Sequence, residues 1–203
     1  MRLFPAIAAL LPLAAANLHP RQARAVEIID TNPVGPGCPA NTLRKAPSNS
    51  TSDATVSFDA YESVLGAGTP NAERDVHCQI FVTLRFPQGC TAAAIETTYR
   101  GTATVSDGAS GVVAPSYRLT GGELDVGENA PSFFEGAEFA DGGEYEKTDE
   151  VVAKVEVDED EGREVRFVVR SRTFIQTVGE EGGAEGSITS DDIRVVVKSL
   201  ESC

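Results

Sequence analysis

The sequence predicts an all-β protein, an antiparallel β-sandwich of about 7–9 strands that follows an irregular N-terminal arm. Short stretches in which apolar and polar residues alternate recur from residue 54 onward, separated by turns rich in Gly and Pro. No convincing 3.6-residue apolar period, the mark of an amphipathic helix, runs through the chain. Hydrophobic residues make up 41% of the 203 residues, which is enough to form the core of one domain.

Four stretches in the first half of the predicted sandwich have the pattern of β-strands. Residues 55–61 alternate between apolar and polar side chains, and residues 78–86, with the sequence CQIFVTLRF, do the same. Residues 92–105 predict a long, Thr-rich strand, and residues 116–119 predict a short one. Such alternation indicates strands that bury one face and expose the other.

The second half predicts a β-hairpin, an acidic loop and a last strand. Apolar residues alternate over residues 150–157 and again over residues 163–175, and the acidic residues 158–161 with Gly162 between them predict a hairpin tip. The arginines of the returning strand are expected to face carboxylates across this hairpin. Residues 123–143 predict an acidic, Gly-rich loop, and residues 193–197 predict the final strand.

The first 16 residues, MRLFPAIAALLPLAAA, have the pattern of a cleaved secretory signal peptide. One basic residue precedes a short apolar segment that ends in an A-x-A cleavage site. About 14 apolar residues are too few for a membrane-spanning helix, which needs roughly 20. We therefore expect a secreted, extracellular protein in which residues 1–16 are the signal peptide, residues 17–53 an extended arm and residues 54–203 the β-sandwich domain.

The charge balance argues against two classes of partner. The chain has 17 Lys and Arg against 31 Asp and Glu, so its net charge is −14. Binding of nucleic acid needs a basic stripe, and docking on anionic lipid needs a basic cluster. The chain has only two histidines, which supply a metal or acid–base site poorly. We expect no nucleic-acid partner, no membrane partner and no cofactor.

All four cysteines, Cys38, Cys78, Cys90 and Cys203, follow the predicted signal peptide. An even number in a secreted chain predicts two disulfides, and the residues alone leave three connectivities open. The clustered C-x-x-C spacing of a zinc site is absent, so no metal is expected. Asn49 begins an N-x-S/T sequon in a polar run, which predicts N-glycosylation, with an unused sequon as the alternative.

Several short motifs follow one another between residue 28 and the C-terminus. They are Gly37-Cys38-Pro39, Val56-Ser57-Phe58-Asp59-Ala60-Tyr61, Cys78-Gln79-Ile80, Phe86-Pro87-Gln88-Gly89, Thr98-Tyr99-Arg100-Gly101, Ser116-Tyr117, Asp191-Asp192 and the C-terminal Cys203. In this order and spacing they resemble a family of small, secreted, cysteine-bridged proteins of unknown function found mainly in filamentous fungi. The resemblance implies a β-sandwich and brings no catalytic residue to this chain.

The resemblance also implies how the cysteines pair. The family's first two cysteines correspond to Cys38 and Cys78, which implies a bridge between the arm and the sheet and a second bridge between Cys90 and Cys203. Family members carry a further cysteine in a Trp-Ser-x-Cys-Gly motif, whereas residues 158–162 of this chain have neither Cys nor Trp. A bridge between Cys78 and Cys90 is the competing assignment, and it requires a broken strand, since 12 extended residues span about 40 Å.

Two sets of residues are candidate sites. Asp59, Asp191 and Asp192 fit a glycosidase pair if their carboxyl groups lie roughly 5–10 Å apart. The competing interpretation is an outward strand position and a loop before a strand. Tyr99 and Arg100 fit a polar contact to a sugar or a carboxylate, against a core tyrosine and an arginine paired with an acid across the sheet. Tyr99, Arg100 and Asp59 are therefore the predicted binding residues.

The sequence gives weaker support to three other kinds of site: a sugar-stacking platform, a catalytic triad and a calcium loop. The chain has no Trp, and the tyrosines that could stack on a sugar instead are Tyr61, Tyr99, Tyr117 and Tyr145. A Ser-His-Asp triad would need His77, and the chain lacks the G-x-S-x-G turn that presents such a serine. Residues 158–161 are acidic but do not form the D-x-D-x-D-G pattern of a calcium loop.

The predicted function is that of a secreted, non-catalytic β-sandwich that binds a surface. The expected partner is a cell-wall polysaccharide or an extracellular protein. The alternative is a secreted carbohydrate hydrolase that uses paired carboxylates. A concave groove with two facing carboxylates would favour the hydrolase, and a flat or convex surface would favour binding.

Overall fold

The protein is an antiparallel β-sandwich, as predicted. A computed structural model describes residues 25–40, 43–46, 51–127, 129–157, 161–179 and 183–200. Within those residues the chain forms 13 strands and two four-residue helices. The strands outnumber the predicted 7–9 because five of them have only three or four residues, too few for alternation to be visible in the sequence.

In chain order the elements are β1 (Glu27–Val34), β2 (Leu43–Ala46), β3 (Asp53–Phe58), β4 (Glu62–Leu65), α1 (Asn71–Arg74), β5 (Asp75–Phe86), β6 (Ala92–Val105), β7 (Ala109–Thr120), β8 (Glu123–Asp125), β9 (Ser132–Glu135), α2 (Gly136–Phe139), β10 (Gly143–Lys154), β11 (Arg163–Thr177), β12 (Gly186–Thr189) and β13 (Asp192–Ser199). No helix of the described residues is long and apolar enough to cross a membrane.

The strands form two sheets. Sheet A has five strands in the order β1-β5-β11-β7-β9. Sheet B has eight, in the order β2-β3-β13-β6-β10-β8, with β12 between β4 and the end of β6. The long strand β6 pairs with β10 along one edge and with β13 and then β12 along the other. Along this second edge, the strand next to β6 is therefore β13 first and β12 after it.

Alternation along the strands builds the core between the sheets. In β5 every second residue from Val76 to Phe86 is buried, and β11 repeats this pattern from Val165 to Ile175. The buried apolar residues of both sheets form one hydrophobic cluster. Because burial of a large apolar side chain contributes about 1.5–3 kcal/mol, this pattern determines which face of each strand points inward.

The predicted hairpin over residues 150–175 is wrong. β10 pairs with β6 and β8 in sheet B, whereas β11 pairs with β5 and β7 in sheet A. The connection therefore passes from one sheet to the other, and residues 158–160 of its acidic run lie outside the described residues. Alternation tells which face of a strand is buried but does not identify the neighbouring strand.

Two strands lie within residues 17–53, the stretch predicted as an arm. β1 pairs with β5 at the edge of sheet A, and β2 pairs with β3 at the edge of sheet B. This part of the chain is thus more regular than the sequence predicts. The boundary between arm and domain after residue 53 stays a prediction, and residues 1–16 and Asn49 lie outside the described residues.

A disulfide joins Cys38 to Cys78 of β5, with Cα atoms 5.4 Å apart. This bridge confirms the first predicted pairing and excludes the one between Cys78 and Cys90. Cys90 is buried and disulfide-bonded. Its predicted partner Cys203 lies outside the described residues, so the second bridge stays a prediction.

Gly101 lies where β6 changes its neighbour from β13 to β12. A Cβ atom on this glycine would lie 2.0 Å from the carbonyl oxygen of Thr189, the last residue of β12. The backbone N–H of Asp191 donates to the carbonyl of Arg100 at 2.8 Å, which holds the connection against β6. Only glycine leaves room for this close approach, which gives the Tyr99-Arg100-Gly101 motif a packing role.

Candidate functional site

The predicted binding residues Tyr99, Arg100 and Asp59 do not share one surface. Tyr99 points into the core and is completely buried, while Arg100 is exposed on the outer face of sheet B. The Nε of Arg100 donates to Glu146 at 2.7 Å, and its Nη1 lies 3.6 Å from Asp192. Asp59 is exposed in the bend after β3. Tyr99 and Arg100 thus have the arrangement of the competing interpretation, a core tyrosine and an arginine paired with acids.

A chain of hydrogen bonds links the two sheets inside the core. The hydroxyl groups of Tyr99 and Tyr117 lie 2.8 Å apart, and Tyr117 donates to Oδ2 of Asp149 at 2.5 Å. Asp149 also forms an ion pair with Lys147. Because a carboxylate only accepts, Tyr117 donates to Asp149 and Tyr99 donates to Tyr117. Burial raises the pKa of both tyrosines, which keeps these hydroxyl groups protonated.

The other two tyrosine hydroxyl groups also bind within the protein. Tyr61 donates to the carbonyl of Ser171 at 2.7 Å, and Tyr145 donates to the carbonyl of Thr189 at 2.8 Å. Burial raises the pKa of Tyr61 to about 12. The tyrosines therefore connect strands and sheets inside the protein. They do not form the exposed aromatic platform that stacking on a sugar requires.

Charged side chains on the outer face of sheet B neutralise one another across neighbouring strands. The shortest of these ion pairs are Arg100–Glu146 at 2.7 Å, Arg194–Asp53 at 2.5 Å and Lys198–Glu96 at 2.7 Å. Solvent screens such exposed pairs, so each contributes about 0–1 kcal/mol. The arginines and the lysine of these pairs already have anionic partners within the protein.

Asp192 lies on this same face. Burial raises the pKa of Asp192 against the opposing attraction of Arg100. A raised pKa suits a general acid. However, Asp192 lies on a strand face beside a guanidinium group, whereas Asp191 and Asp59 are exposed in the connections next to strands. The hydrolase with paired carboxylates therefore stays a prediction.

The outer face of sheet A carries arginines that form no ion pair with a described residue. Arg166 and Arg170 lie on the central strand β11, and Arg118 lies on β7 opposite Val168, midway between them. All three arginines are exposed. We call the surface formed by Arg118, Arg166, Arg170 and the neighbouring Phe81 the arginine face. The ion pairs of sheet A at the two ends of this surface are Arg85–Glu164 and Arg172–Asp75.

One aromatic ring lies beside these arginines, and two more lie elsewhere on the outer face of sheet A. Phe81 on β5 is half-buried, and the guanidinium carbon of Arg166 lies 5.7 Å from the centroid of its ring. Phe174 has the same relation to Arg172, at 5.3 Å. Phe133 on β9 is 64% exposed. Arginine combined with exposed aromatic rings is the composition typical of the central part of a binding interface.

Sequence reasoning missed the arginine face because it assigned the arginines of β11 to carboxylates across a hairpin. Arg166 and Arg170 have β5 and β7 as neighbours, and the outward positions opposite them are Thr83 and Thr120 for the first and Gln79 and Ser116 for the second. The signal was present in the strand itself. Even-numbered residues between 164 and 176 share one face, and three of them are arginines.

A cleft of about 600 Å³ opens where Gly122, Lys154 and Arg163 meet. Its lining mixes basic with acidic side chains, and Arg163 donates to the carbonyl of Glu156 at 2.6 Å. The cleft therefore has no single charge preference. Among the described residues, no group of three His, Cys, Asp or Glu side chains is placed to hold a metal ion.

Comparison with known proteins gives a family and a relative. Residues 24–201 match a family described as a domain of unknown function, DUF4360. An uncharacterized secreted protein of Arthroderma benhamiae is 31% identical over 96 residues, which are 47% of this chain and 39% of the relative. The match thus spans about two fifths of that relative's length.

Two solved structures are similar to the chain at low TM-scores. TmCBM61 in complex with β-1,4-galactotriose is 11% identical, with 86% of this chain and 91% of that chain covered and a TM-score of 0.24. The C-terminal CBM6 of LamC from Zobellia galactanivorans is 13% identical, with 82% and 99% covered and a TM-score of 0.18. These TM-scores are too low to support an argument about function.

Proposed function

Because this chain belongs to the DUF4360 family, whose function is unknown, we propose its function from its own surfaces: it is a secreted, non-catalytic protein that binds extracellular polysaccharide through the arginine face. Membership confirms the resemblance to a family of secreted fungal proteins of unknown function. It brings no substrate and no catalytic residue, so the proposal depends on charge, exposure and packing.

One observation carries the proposal. The arginines on the outer face of sheet B form ion pairs with carboxylates of the protein, whereas Arg118, Arg166 and Arg170 on sheet A form none among the described residues. Arg170 has the longer-range attraction of Asp75, which is itself paired with Arg172. Three like charges on one sheet face repel one another until an anion lies between them. In a chain of net charge −14, this local excess of positive charge is the feature that most needs a partner.

Secretion rests on three independent features. The first 16 residues have the signal-peptide pattern, and the bridge between Cys38 and Cys78 suits an oxidising compartment. The relative from Arthroderma benhamiae is named a secreted protein. An extracellular protein meets wall polysaccharides in solution or at the wall, where an exposed sheet face is accessible to an extended polymer.

Retention on insoluble polysaccharide tests the proposal. Residues 17–203 are mixed with particles of chitin, β-glucan, cellulose and pectin, and the bound fraction is measured after washing. The test variant combines Arg118→Gln, Arg166→Gln and Arg170→Gln. The matched control combines Arg100→Gln, Arg194→Gln and Lys198→Gln on sheet B, so that each variant loses three positive charges, and circular dichroism checks that both variants fold.

We expect the wild type and the sheet B control to be retained on at least one polysaccharide and the sheet A variant to be lost from it. Equal retention of all three proteins, or retention of none, would overturn the proposal. Release of reducing sugar from any of these particles by the wild type would instead favour the hydrolase, with Asp192→Asn as the variant that must then lose the activity.

A further inference from the structure

We infer that the ligand of the arginine face is a polysaccharide that carries carboxylate groups, a polyuronate, lying along β11. This inference rests on the proposed function and names the class of polymer that the face recognises. It is argued from the spacing of the arginines, from the apolar surface between them and from the charge of the whole protein.

The arginines are distributed along a line. Arg166 and Arg170 are four residues apart on β11, which places their Cα atoms about 14 Å apart along the strand. Arg118 projects from the neighbouring strand at the level of Val168, halfway between them. Positive charge thus recurs at intervals of about 7 Å along the strand direction. A linear polymer with anionic groups at intervals fits this arrangement better than a single small anion does.

The surface between the arginines is apolar. Phe81 of β5, Val168 of β11 and Arg118 of β7 lie in one row across sheet A, and Phe81 and Val168 are both half-buried. The guanidinium of Arg166 lies over the ring of Phe81. A sugar ring that rests on this row buries its C–H groups against apolar side chains while its carboxylate reaches an arginine.

The charge of the protein favours a polymer that carries carboxylate groups over polyanions of higher charge density. Arginine binds a carboxylate through two parallel N–H···O bonds, which matches one guanidinium with one uronate unit. Duplex DNA carries one phosphate charge per about 1.7 Å of its axis. So dense a polyanion would be repelled more strongly by the negative charge of the rest of the protein.

The experiment measures the affinity of residues 17–203 for soluble polygalacturonic acid by affinity electrophoresis and calorimetry. The comparison probe is the same polymer after chemical reduction of its carboxyl groups, which keeps the backbone and removes the charge. The variants are Arg166→Gln and Arg118→Gln, with Arg194→Gln on sheet B as the matched control.

We expect binding of polygalacturonic acid, at least tenfold weaker binding of the reduced polymer, and about tenfold weaker binding for each sheet A variant. The control should bind as the wild type does. Binding should weaken with added salt and disappear near pH 2, where uronate carboxyl groups are protonated.

Two results separate this inference from the proposed function. If the wild type is retained on a wall polysaccharide through the arginine face but binds polygalacturonic acid no better than the reduced polymer, the polyuronate is wrong and the binding function stands. If the wild type is retained on no wall polysaccharide and does not bind polygalacturonic acid, both are wrong.

Discussion

Replacement of Tyr117 by Phe tests whether the hydrogen-bond chain between the sheets stabilises the fold. The substitution keeps the aromatic ring, which stacks on Phe167 with centroids 5.9 Å apart, and removes only the hydroxyl group. Two hydrogen bonds are lost, the neutral one from Tyr99 and the one to the carboxylate of Asp149. The hydroxyl of Tyr99, which is completely buried, is then left without its acceptor.

The size of the effect follows from these two bonds. A neutral hydrogen bond contributes about 1 kcal/mol and one to a charged acceptor about 2 kcal/mol, so Tyr117→Phe should lower the free energy of unfolding by about 3 kcal/mol. The matched control Tyr99→Phe removes only the neutral bond and should cost about 1 kcal/mol. The double variant should cost about 3 rather than 4 kcal/mol, because both single variants lose the same neutral bond.

Urea unfolding at pH 7, followed by circular dichroism, measures the four proteins of this cycle. With a slope of about 3 kcal/mol per molar urea, Tyr117→Phe should lower the midpoint by about 1 M. The reasoning is refuted if Tyr117→Phe is as stable as the wild type, or if the effects of the two single variants add fully in the double variant.

The remaining predictions concern the disulfide and two carboxylates. Replacement of Cys38 and Cys78 by Ala opens a loop of 40 residues and should lower the free energy of unfolding by up to about 4 kcal/mol in urea titrations, whereas an unchanged midpoint would contradict this. A hydrogen bond from Arg172 lowers the pKa of Asp75, so its stabilising effect is present at neutral pH and is lost as pH falls; Asp75→Asn should be less stable than the wild type at pH 7 and equal to it near pH 2. Burial raises the pKa of Asp192, so its effect has the opposite sign: Asp192→Asn should be more stable than the wild type at pH 7, with the difference lost below about pH 4.

The sequence predicts which face of each long strand is buried, but it does not predict which strands are neighbours in a sheet. Alternation identifies the inward residues of β5 and β11 correctly, since each such strand must bury one side. The same alternation in residues 150–157 and 163–175 suggests a hairpin, although the two strands belong to different sheets. Which strand lies beside which depends on packing between segments far apart in the chain, and no local pattern contains that information.

The sequence predicts the face on which individual side chains of the candidate site lie, but not which of these side chains come together. Tyr99 and Arg100 are adjacent in the sequence, and the pleat of β6 therefore sends their side chains to opposite faces. The arginine face depends on the register between β7 and β11, which brings Arg118 between Arg166 and Arg170. The parity of the arginines on β11 is visible in the sequence, but the uncharged residues opposite Arg166 and Arg170 on β5 and β7 follow from the arrangement of the strands.

The central claim is that the ligand lies on the arginine face, and the most direct test is to observe the arginines themselves. The Nε–Hε resonances of the labelled protein are recorded by NMR during titration with oligosaccharides of the polymer that retains it. The account predicts that the resonances of Arg118, Arg166 and Arg170 shift with saturation while those of Arg100 and Arg194 stay in place. Shifts of Arg100 and Arg194 with no change at the other three would contradict it.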